Sequence, residues 1–451
     1  MSIAQTGRTL PFVACICVLY TLVGSLGYAL QQPSAADSGL TVSKLGRMFG
    51  APPEVQLRFQ DDLWRNVSCL VLCIVVASIS PASGVGGGSF FVAVFAAIMQ
   101  WGVPAAVALS QATMCAAAFS GAVASGFSSH PDDPKKPIVD YDLALILSPG
   151  MLMGSSVGVL LNAVMPHWLT SFTLTFFLGY IAYNTAKKAA GLVKQETEQK
   201  EEQAGHDASA SNAEPGDDIE EPLISKDKVV SCWCNYKGLL GIFVFWAVFM
   251  VLELNKREND RCNARYAFLT ASQVVVGTAT LGLSIWQVSR KQSKSGSPGG
   301  ASQRAWTISS YVKIAIFSLC GGVIAGLLGM GGGFIIAPLM LSLGSHPKIA
   351  AATSNTILFF STSFAALAFE RMGLLNYQFA AIFAGSCLVS GGLGVTAINW
   401  LIGKLGRPSV PVVLMASVAA ISTILAGISK GGKSIQDLAN GHNVGFKPFC
   451  P

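Results

Sequence analysis

The sequence predicts an all-α polytopic membrane protein. It reads as two inverted repeats of about five helical segments, with broken or re-entrant helices at glycine-rich motifs and a central helix pair between the repeats. Three observations carry this. The 451 residues are 51% hydrophobic and only 12% charged, which does not fit a water-facing surface. Glycine supplies 47 of them, too many for rigid solvent-exposed helices but suited to bilayer helices that approach closely or break. The same glycine-rich motif also stands twice at a near-constant separation, the mark of a carrier built from two related halves. The formal charge of +6 comes from loops and reflects topology rather than a nucleic-acid partner. Soluble enzymes, collagens, coiled coils and DNA-binding modules are set aside.

About 20 apolar residues cross roughly 30 Å of hydrocarbon. Apolar segments lie near 11–30, 64–80, 85–100, 104–126, 140–163, 167–187, 238–254, 266–288, 308–328, 331–344, 348–369, 376–403 and 408–428. The first follows Arg8 and reads as a signal sequence over 1–30, with a retained N-terminal anchor as the alternative. Twelve segments remain without it. An extramembrane stretch 31–63 leads into a first repeat over 64–190. The segment 191–237 is too polar to bury and lacks apolar periodicity, so it is expected to be a disordered loop. A central helix pair over 238–288, a basic Gly/Ser-rich linker over 289–307, a second repeat over 308–428 and a tail over 429–451 complete the chain. With the signal removed, counting crossings puts the two repeats in opposite orientations, and Lys and Arg modestly favour the inner loops.

The repetition can be read residue by residue. SPASGVGGGSFFVAVF runs into PAAVALSQATMCAAAFSGA, and GLLGMGGGFIIAPLML runs into PKIAAATSNTILFFSTSFA. Gly84, Gly86, Gly87 and Gly88 match Gly329, Gly331, Gly332 and Gly333 at an offset of 245, and Ser110 matches Ser354 at 244. The apolar segments that begin at these runs are short, so they are expected to be broken or re-entrant. Unwound backbone survives at membrane depth only where protein buries it or water hydrates it. A helix starting just after such a run points free N–H groups and a positive dipole end at the break, an anion site that needs no cationic side chain. Close helix packing is the competing reading of any glycine run. Duplication favours a site, because each copy is followed by a polar cluster in an apolar segment: Ser110, Gln111 and Thr113 in the first half, and Thr353, Ser354, Asn355 and Thr356 in the second. Interhelical hydrogen bonding is the alternative for these clusters. Pro81 and Pro338 are assigned structural roles in the two motifs.

Asp140, Asp142, Glu253 and Glu370 stand at segment ends, so no carboxylate is an evident proton relay or cation ligand. Lys313 is expected to snorkel to the inner surface. The five histidines show no metal-ligand or catalytic spacing, and no nucleophile, Walker or dinucleotide motif is present. Neither a metal, a cofactor nor an enzymatic activity is expected. Cys69, Cys73, Cys115, Cys320 and Cys387 fall inside spans and act as small apolar residues. Cys232 and Cys234 flank Trp233 and form a candidate lipidation site. Glu220-Glu221-Pro222-Leu223-Ile224 resembles an acidic dileucine signal, which points to a eukaryotic endomembrane or vacuolar destination, with the plasma membrane as the alternative.

At these residues the chain resembles the sulfite exporter TauE/SafE family, in its eukaryotic, plant-type form. The strongest portion is GGVIAGLLGMGGGFIIAPLMLSLGSHPKIAAATSNTILFFSTSFAAL, and the central CNYKGLLGIFVFWAVFMVLELNKRENDRCNARYAFLTASQVVVG looks like the plant-type insertion between halves. The resemblance implies a secondary carrier that moves small sulfur-containing anions, such as sulfite or organosulfonates, across a membrane. It places Gly84, Gly86, Gly87 and Gly88 in the first-half motif and Gly329, Gly331, Gly332, Gly333 and Pro338 in the second. Ala93 and Val94 stand where the second half has its proline, and LSQAT replaces ATSNT, so the two half-sites are expected to be unequal.

The expected function is therefore transport of a small anion by alternating access between two repeats. Membrane lipids, and a coupling ion if transport is driven, are the implied partners, and nucleic acid is not. Two alternatives belong to other classes: a non-transporting adaptor or receptor using 191–237, and a carrier of another small solute. Sequence does not reveal the oligomeric state.

Overall fold

The computed structural model describes residues 62–126, 137–210, 236–256, 263–294, 308–405, 410–427 and 445. Among them the chain is all-helical, with no strand. The expected signal sequence, Cys232 and Cys234 and the dileucine-like segment lie outside the described residues.

Twelve α-helices are seen among these residues, one in each apolar segment after 11–30. In the first half they are α1 (Leu63–Ile79), α2 (Gly88–Ala97), α3 (Val103–Gly126), α4 (Tyr141–Val164) and α5 (His167–Ala210). The central pair is α6 (Tyr236–Leu254) and α7 (Ala264–Lys294). The second half holds α8 (Ile308–Leu328), α9 (Gly333–Ser342), α10 (Pro347–Arg371), α11 (Tyr377–Leu405) and α12 (Val410–Ala426). Seven helices are long and apolar enough to cross a membrane: α1 with the 3₁₀ turn that follows it, α3, α4, α7, α8, α10 and α11. The chain is a multi-pass integral membrane protein.

Local chemistry sets the helix starts. The Asp140 carboxylate accepts from the Leu143 amide at 3.1 Å and caps α4. Pro347, whose missing N–H costs nothing in a first turn, opens α10. At ten residues each, α2 and α9 are about 15 Å long and reach only about half the hydrocarbon thickness.

Burial sorts the helices into an inner and an outer set. α3 and α10, which follow the two glycine motifs, are the innermost, and almost every residue from Ala350 to Phe369 is buried. They pack on each other, and α3 also packs on α11. α7 exposes Val274, Val275, Leu283 and Trp286, as a lipid-facing helix can at no cost in hydration. The most extensive seam joins the halves: Gly150, Gly154 and Gly158 of α4 lie against Ser318, Gly322 and Gly326 of α8. A Cβ on Gly326 would stand 2.5 Å from the Ser155 carbonyl oxygen, so small residues allow backbone-to-backbone contact here. The α1–α11 seam, between the elements equivalent to α8 and α4, has one such approach, Gly394 lying directly against the Ser78 backbone, and also directs Cys387 Sγ at the Cys73 carbonyl.

One expectation changes. α5 continues to Ala210, so residues 191–210 are helical where the sequence suggested a disordered loop. The run is rich in Lys, Gln, Glu and Ala, strong helix formers, and Lys194 pairs with Glu198 at 3.6 Å one turn on. Lack of apolar periodicity excluded burial but did not exclude a solvated helix. Residues 211–235 and 295–307, the remainder of that segment and most of the basic linker, lie outside the described residues.

Candidate functional site

Both glycine motifs interrupt a helix. In the first, α1 gives way to a 3₁₀ turn over Ser80–Ser83 containing Pro81, and Gly84, Gly86 and Gly87 then take φ of 73°, 76° and 74° before α2 begins. In the second, α8 runs to Leu328, Gly329 and Gly331 take φ of 69° and 59°, and α9 begins at Gly333. Only glycine enters this left-handed region without strain, which explains the motif's composition.

The two helix starts share one hydrogen-bond plan. The amides of Phe90 and Phe91 both donate to the Gly87 carbonyl, at 3.0 and 3.1 Å; those of Ile335 and Ile336 both donate to Gly332, at 3.0 and 2.8 Å. The amides between are left without a backbone acceptor among the described residues. These belong to Gly86, Gly87, Gly88 and Ser89 in the first break, and to Met330, Gly331, Gly332, Gly333 and Phe334 in the second. Rows of unpaired amides at the positive end of a half-helix are the donors an anion requires.

The polar clusters lie beside the breaks, and each holds the break of the opposite half. Ser354 Oγ donates to the Gly84 carbonyl at 2.5 Å, and Ser110 Oγ stands 3.0 Å from both the Gly329 and Gly88 carbonyls. Asn355 Nδ2 donates to the Pro81 carbonyl at 2.6 Å, and Gln111 Nε2 to the Ala325 carbonyl at 2.8 Å. For Ser110, Gln111, Ser354 and Asn355 the interhelical hydrogen bonding named as the alternative is the geometry observed, here between the two halves, whereas Thr113 and Thr356 bond back to Leu109 and Ala352 of their own helices. The Pro81 and Ala325 carbonyls also accept from the Gly84 and Gly329 amides, at 3.1 and 3.0 Å, so Asn355 and Gln111 hold turns that the backbone itself closes. Thr353 is directed elsewhere, its Oγ1 accepting from the Asp140 amide at 2.9 Å.

The breaks also touch. A Cβ on Gly88 would lie 2.7 Å from the Gly329 carbonyl oxygen, and one on Gly333 would lie 2.6 Å from that of Val85. Met114 and Leu358 fill the remaining space, with Met114 against Gly86, Gly88 and Gly331 and Leu358 against Gly86, Gly331 and Gly333. The facing carbonyls, Met114 and Leu358 thus occupy the space around the unpaired amides. Sequence reasoning missed this pair, although the same offset of 244 relates them and each stands four residues after its serine. Apolar side chains gave no chemical signal.

A second omission is Glu253. It stands at the end of α6, yet it is buried and paired with buried Lys256 at 3.0 Å. Gln273 bridges the pair, donating to Glu253 at 2.9 Å and accepting from Lys256 at 2.6 Å, and Ser156 of α4 donates to the same Gln273 oxygen at 3.3 Å. Arg371 of α10 donates to the Leu254 and Lys256 carbonyls at 3.2 and 3.3 Å. This network ties the central pair to both halves; from sequence, a charge at a helix end reads as surface. Lys313 is exposed on α8. Among the described residues no group of His, Cys, Asp or Glu is arranged to hold a metal ion.

Comparison with known proteins bears on this geometry. The profile of the family "Sulfite exporter TauE/SafE" matches residues 69–255 and again 235–421, so each match takes in one glycine break. "Sulfite exporter TauE/SafE family protein 1" of Arabidopsis thaliana is 28% identical over 422 residues, covering 87% of this chain and 92% of its own length. Family protein 5 of the same plant is 28% identical over 401 residues, covering 84% and 86%. No solved structure matches. With most of the chain matched by the profile and by relatives along nearly their full lengths, this protein belongs to the sulfite exporter TauE/SafE family.

Proposed function

We propose that this protein is a secondary carrier of small anions, of the sulfite or organosulfonate class, working by alternating access between two inverted repeats. The observation that carries this is the pair of equivalent breaks, each presenting unpaired amides at the start of a half-helix buried in the bundle. Buried amides without acceptors are costly unless a guest satisfies them in part of the working cycle. The names of the relatives supply sulfite as the substrate, organosulfonates extend it to chemically similar anions, and the dileucine-like segment supports an endomembrane or vacuolar membrane, with the plasma membrane as the alternative.

The packing suggests how access alternates. Reciprocal bonds from Ser354 to Gly84 and from Ser110 to Gly329 latch the breaks together. Separation on one side of the membrane exposes the amides to an entering anion, and closure followed by separation on the other side releases it. The glycine-lined α4–α8 seam, where backbones slide past one another with few side chains to interlock, is where one half rocks on the other.

The test is uptake of labelled sulfite, sulfate and taurine into proteoliposomes holding the full chain, with and without an imposed pH gradient. Saturable flux of a sulfur anion above that of empty vesicles is expected, and a dependence on the gradient identifies a proton as the coupling ion. Absence of flux for all three, in vesicles shown to hold folded protein, overturns the reading.

A further inference from the structure

Gln111 and Asn355 carry a feature that anion binding alone does not use. Both are buried, and the side-chain oxygen of each, Gln111 Oε1 and Asn355 Oδ1, has no hydrogen-bond partner. The orientation of each amide is fixed by its other end. Exchanging nitrogen and oxygen would set a carbonyl oxygen 2.8 Å from the Ala325 oxygen, or 2.6 Å from that of Pro81, where two acceptors repel. The free atoms are therefore acceptors. They recur at equivalent positions of the two halves, 244 residues apart, on α3 and α10, where each side chain reaches a carbonyl in the last turn before the opposite half's glycine break. A third buried acceptor without a partner, Asn162 Oδ1 of α4, has its nitrogen on the Leu327 carbonyl near the second break and, among the described residues, no counterpart of this kind in the other half. A buried acceptor without a donor carries an unmet desolvation cost, and two at matched positions beside a ligand site suggest a ligand that meets it.

Each break therefore offers two kinds of group. The unpaired amides accept an oxyanion's charge, and the neighbouring amide oxygen calls for a donor. A fully deprotonated or alkylated oxyanion supplies acceptors only and leaves that oxygen unmet. An anion bearing its own O–H or N–H satisfies both. Resting on the function proposed above, we propose that Gln111 and Asn355 are specificity-determining residues whose free amide oxygens select small anions carrying a hydrogen-bond donor over acceptor-only anions of the same size and charge.

The probe pair is 2-hydroxyethanesulfonate and ethanesulfonate, monoanions of closely similar size that differ in one hydroxyl. Each is measured as a competitor of labelled sulfite in proteoliposomes of the full chain. The hydroxyl-bearing anion is expected to compete roughly tenfold or more strongly, the scale on which a site built for a donor rejects an analogue lacking one. In Gln111→Met and Asn355→Leu the preference collapses toward one. Loss of the amide nitrogen as a break-holding group weakens both competitors together, so a merely structural role leaves the ratio unchanged. The wild-type ratio needs no variant to fold. Equal competition by the two sulfonates in the wild type overturns this inference and leaves the carrier reading standing, whereas absence of competition by either, with no sulfite flux, removes the carrier reading itself. Equal competition together with flux that vanishes when sodium is replaced by choline assigns the oxygens to a metal cation and also overturns the inference.

Discussion

The two glycine breaks share a hydrogen-bond plan and differ in how firmly they are held. The first is approached through a proline-containing 3₁₀ turn, has three left-handed glycines, and leads into α2, buried at every position from Gly88 to Ala96. The second leaves an unbroken α8 with two left-handed glycines. Gly332 sits at φ −68°, and α9 buries only Gly333, Phe334, Ile336, Ala337 and Met340. Pro338 also removes one donor from the α9 ladder. Fewer buried contacts and a weakened ladder mean a lower cost of local displacement. On the mechanism proposed above, the first break is therefore the fixed cradle and the second the part that moves away.

The largest expected effect breaks the contact between the two. Gly88→Ala drives a Cβ into the Gly329 carbonyl and so keeps the two breaks from closing on each other, and anion flux is lost and the melting temperature falls by several degrees, read by flux and by thermal unfolding of purified protein. Next comes the pair that sharpens the comparison. Gly87→Ala carries a left-handed backbone penalty of about 1–2 kcal/mol. Gly332→Ala has ordinary φ and meets chiefly the flexible end of Met151, so Gly332→Ala keeps more flux and Met151→Ala restores much of the rest. Equal losses in the two alanine variants would remove the distinction between fixed and moving breaks.

Smaller effects follow from the latches. Ser354→Ala leaves the Gly84 carbonyl without its side-chain donor, at about 1–3 kcal/mol, detected as a lower melting temperature. The smallest concerns Asp140. Burial holds its carboxyl above the usual carboxylate range while it caps α4. An acid raised on folding costs stability once ionised, and the cost disappears as pH falls through the raised value. Asp140→Asn keeps a capping oxygen and cannot ionise, so its melting temperature relative to wild type rises slightly at neutral pH, and the gain vanishes in acid.

Much of the fold was legible because hydrophobic length and glycine spacing are local signals. The segments 85–100 and 331–344 became short helices at the expected motifs, since glycine composition dictates where winding stops. The helical stretch 191–210 was not, because solvated helices show propensity without periodicity. At the site, the positions of Gly84 to Gly88 and Gly329 to Gly333 could be read directly. The partners of Ser110, Gln111, Ser354 and Asn355 could not, because they depend on contacts between residues more than two hundred apart in sequence. Met114, Leu358 and the buried Glu253–Lys256 pair emerge only once helices are packed.

The central claim is that backbone amides of the two breaks receive the anion, and hydrogen–deuterium exchange on the reconstituted full chain tests it most directly. Segments spanning 84–90 and 329–335 are followed with and without saturating sulfite. Slower exchange at both in the presence of sulfite is the expected result. Unchanged exchange at both, under conditions where sulfite flux is saturated, would contradict the account.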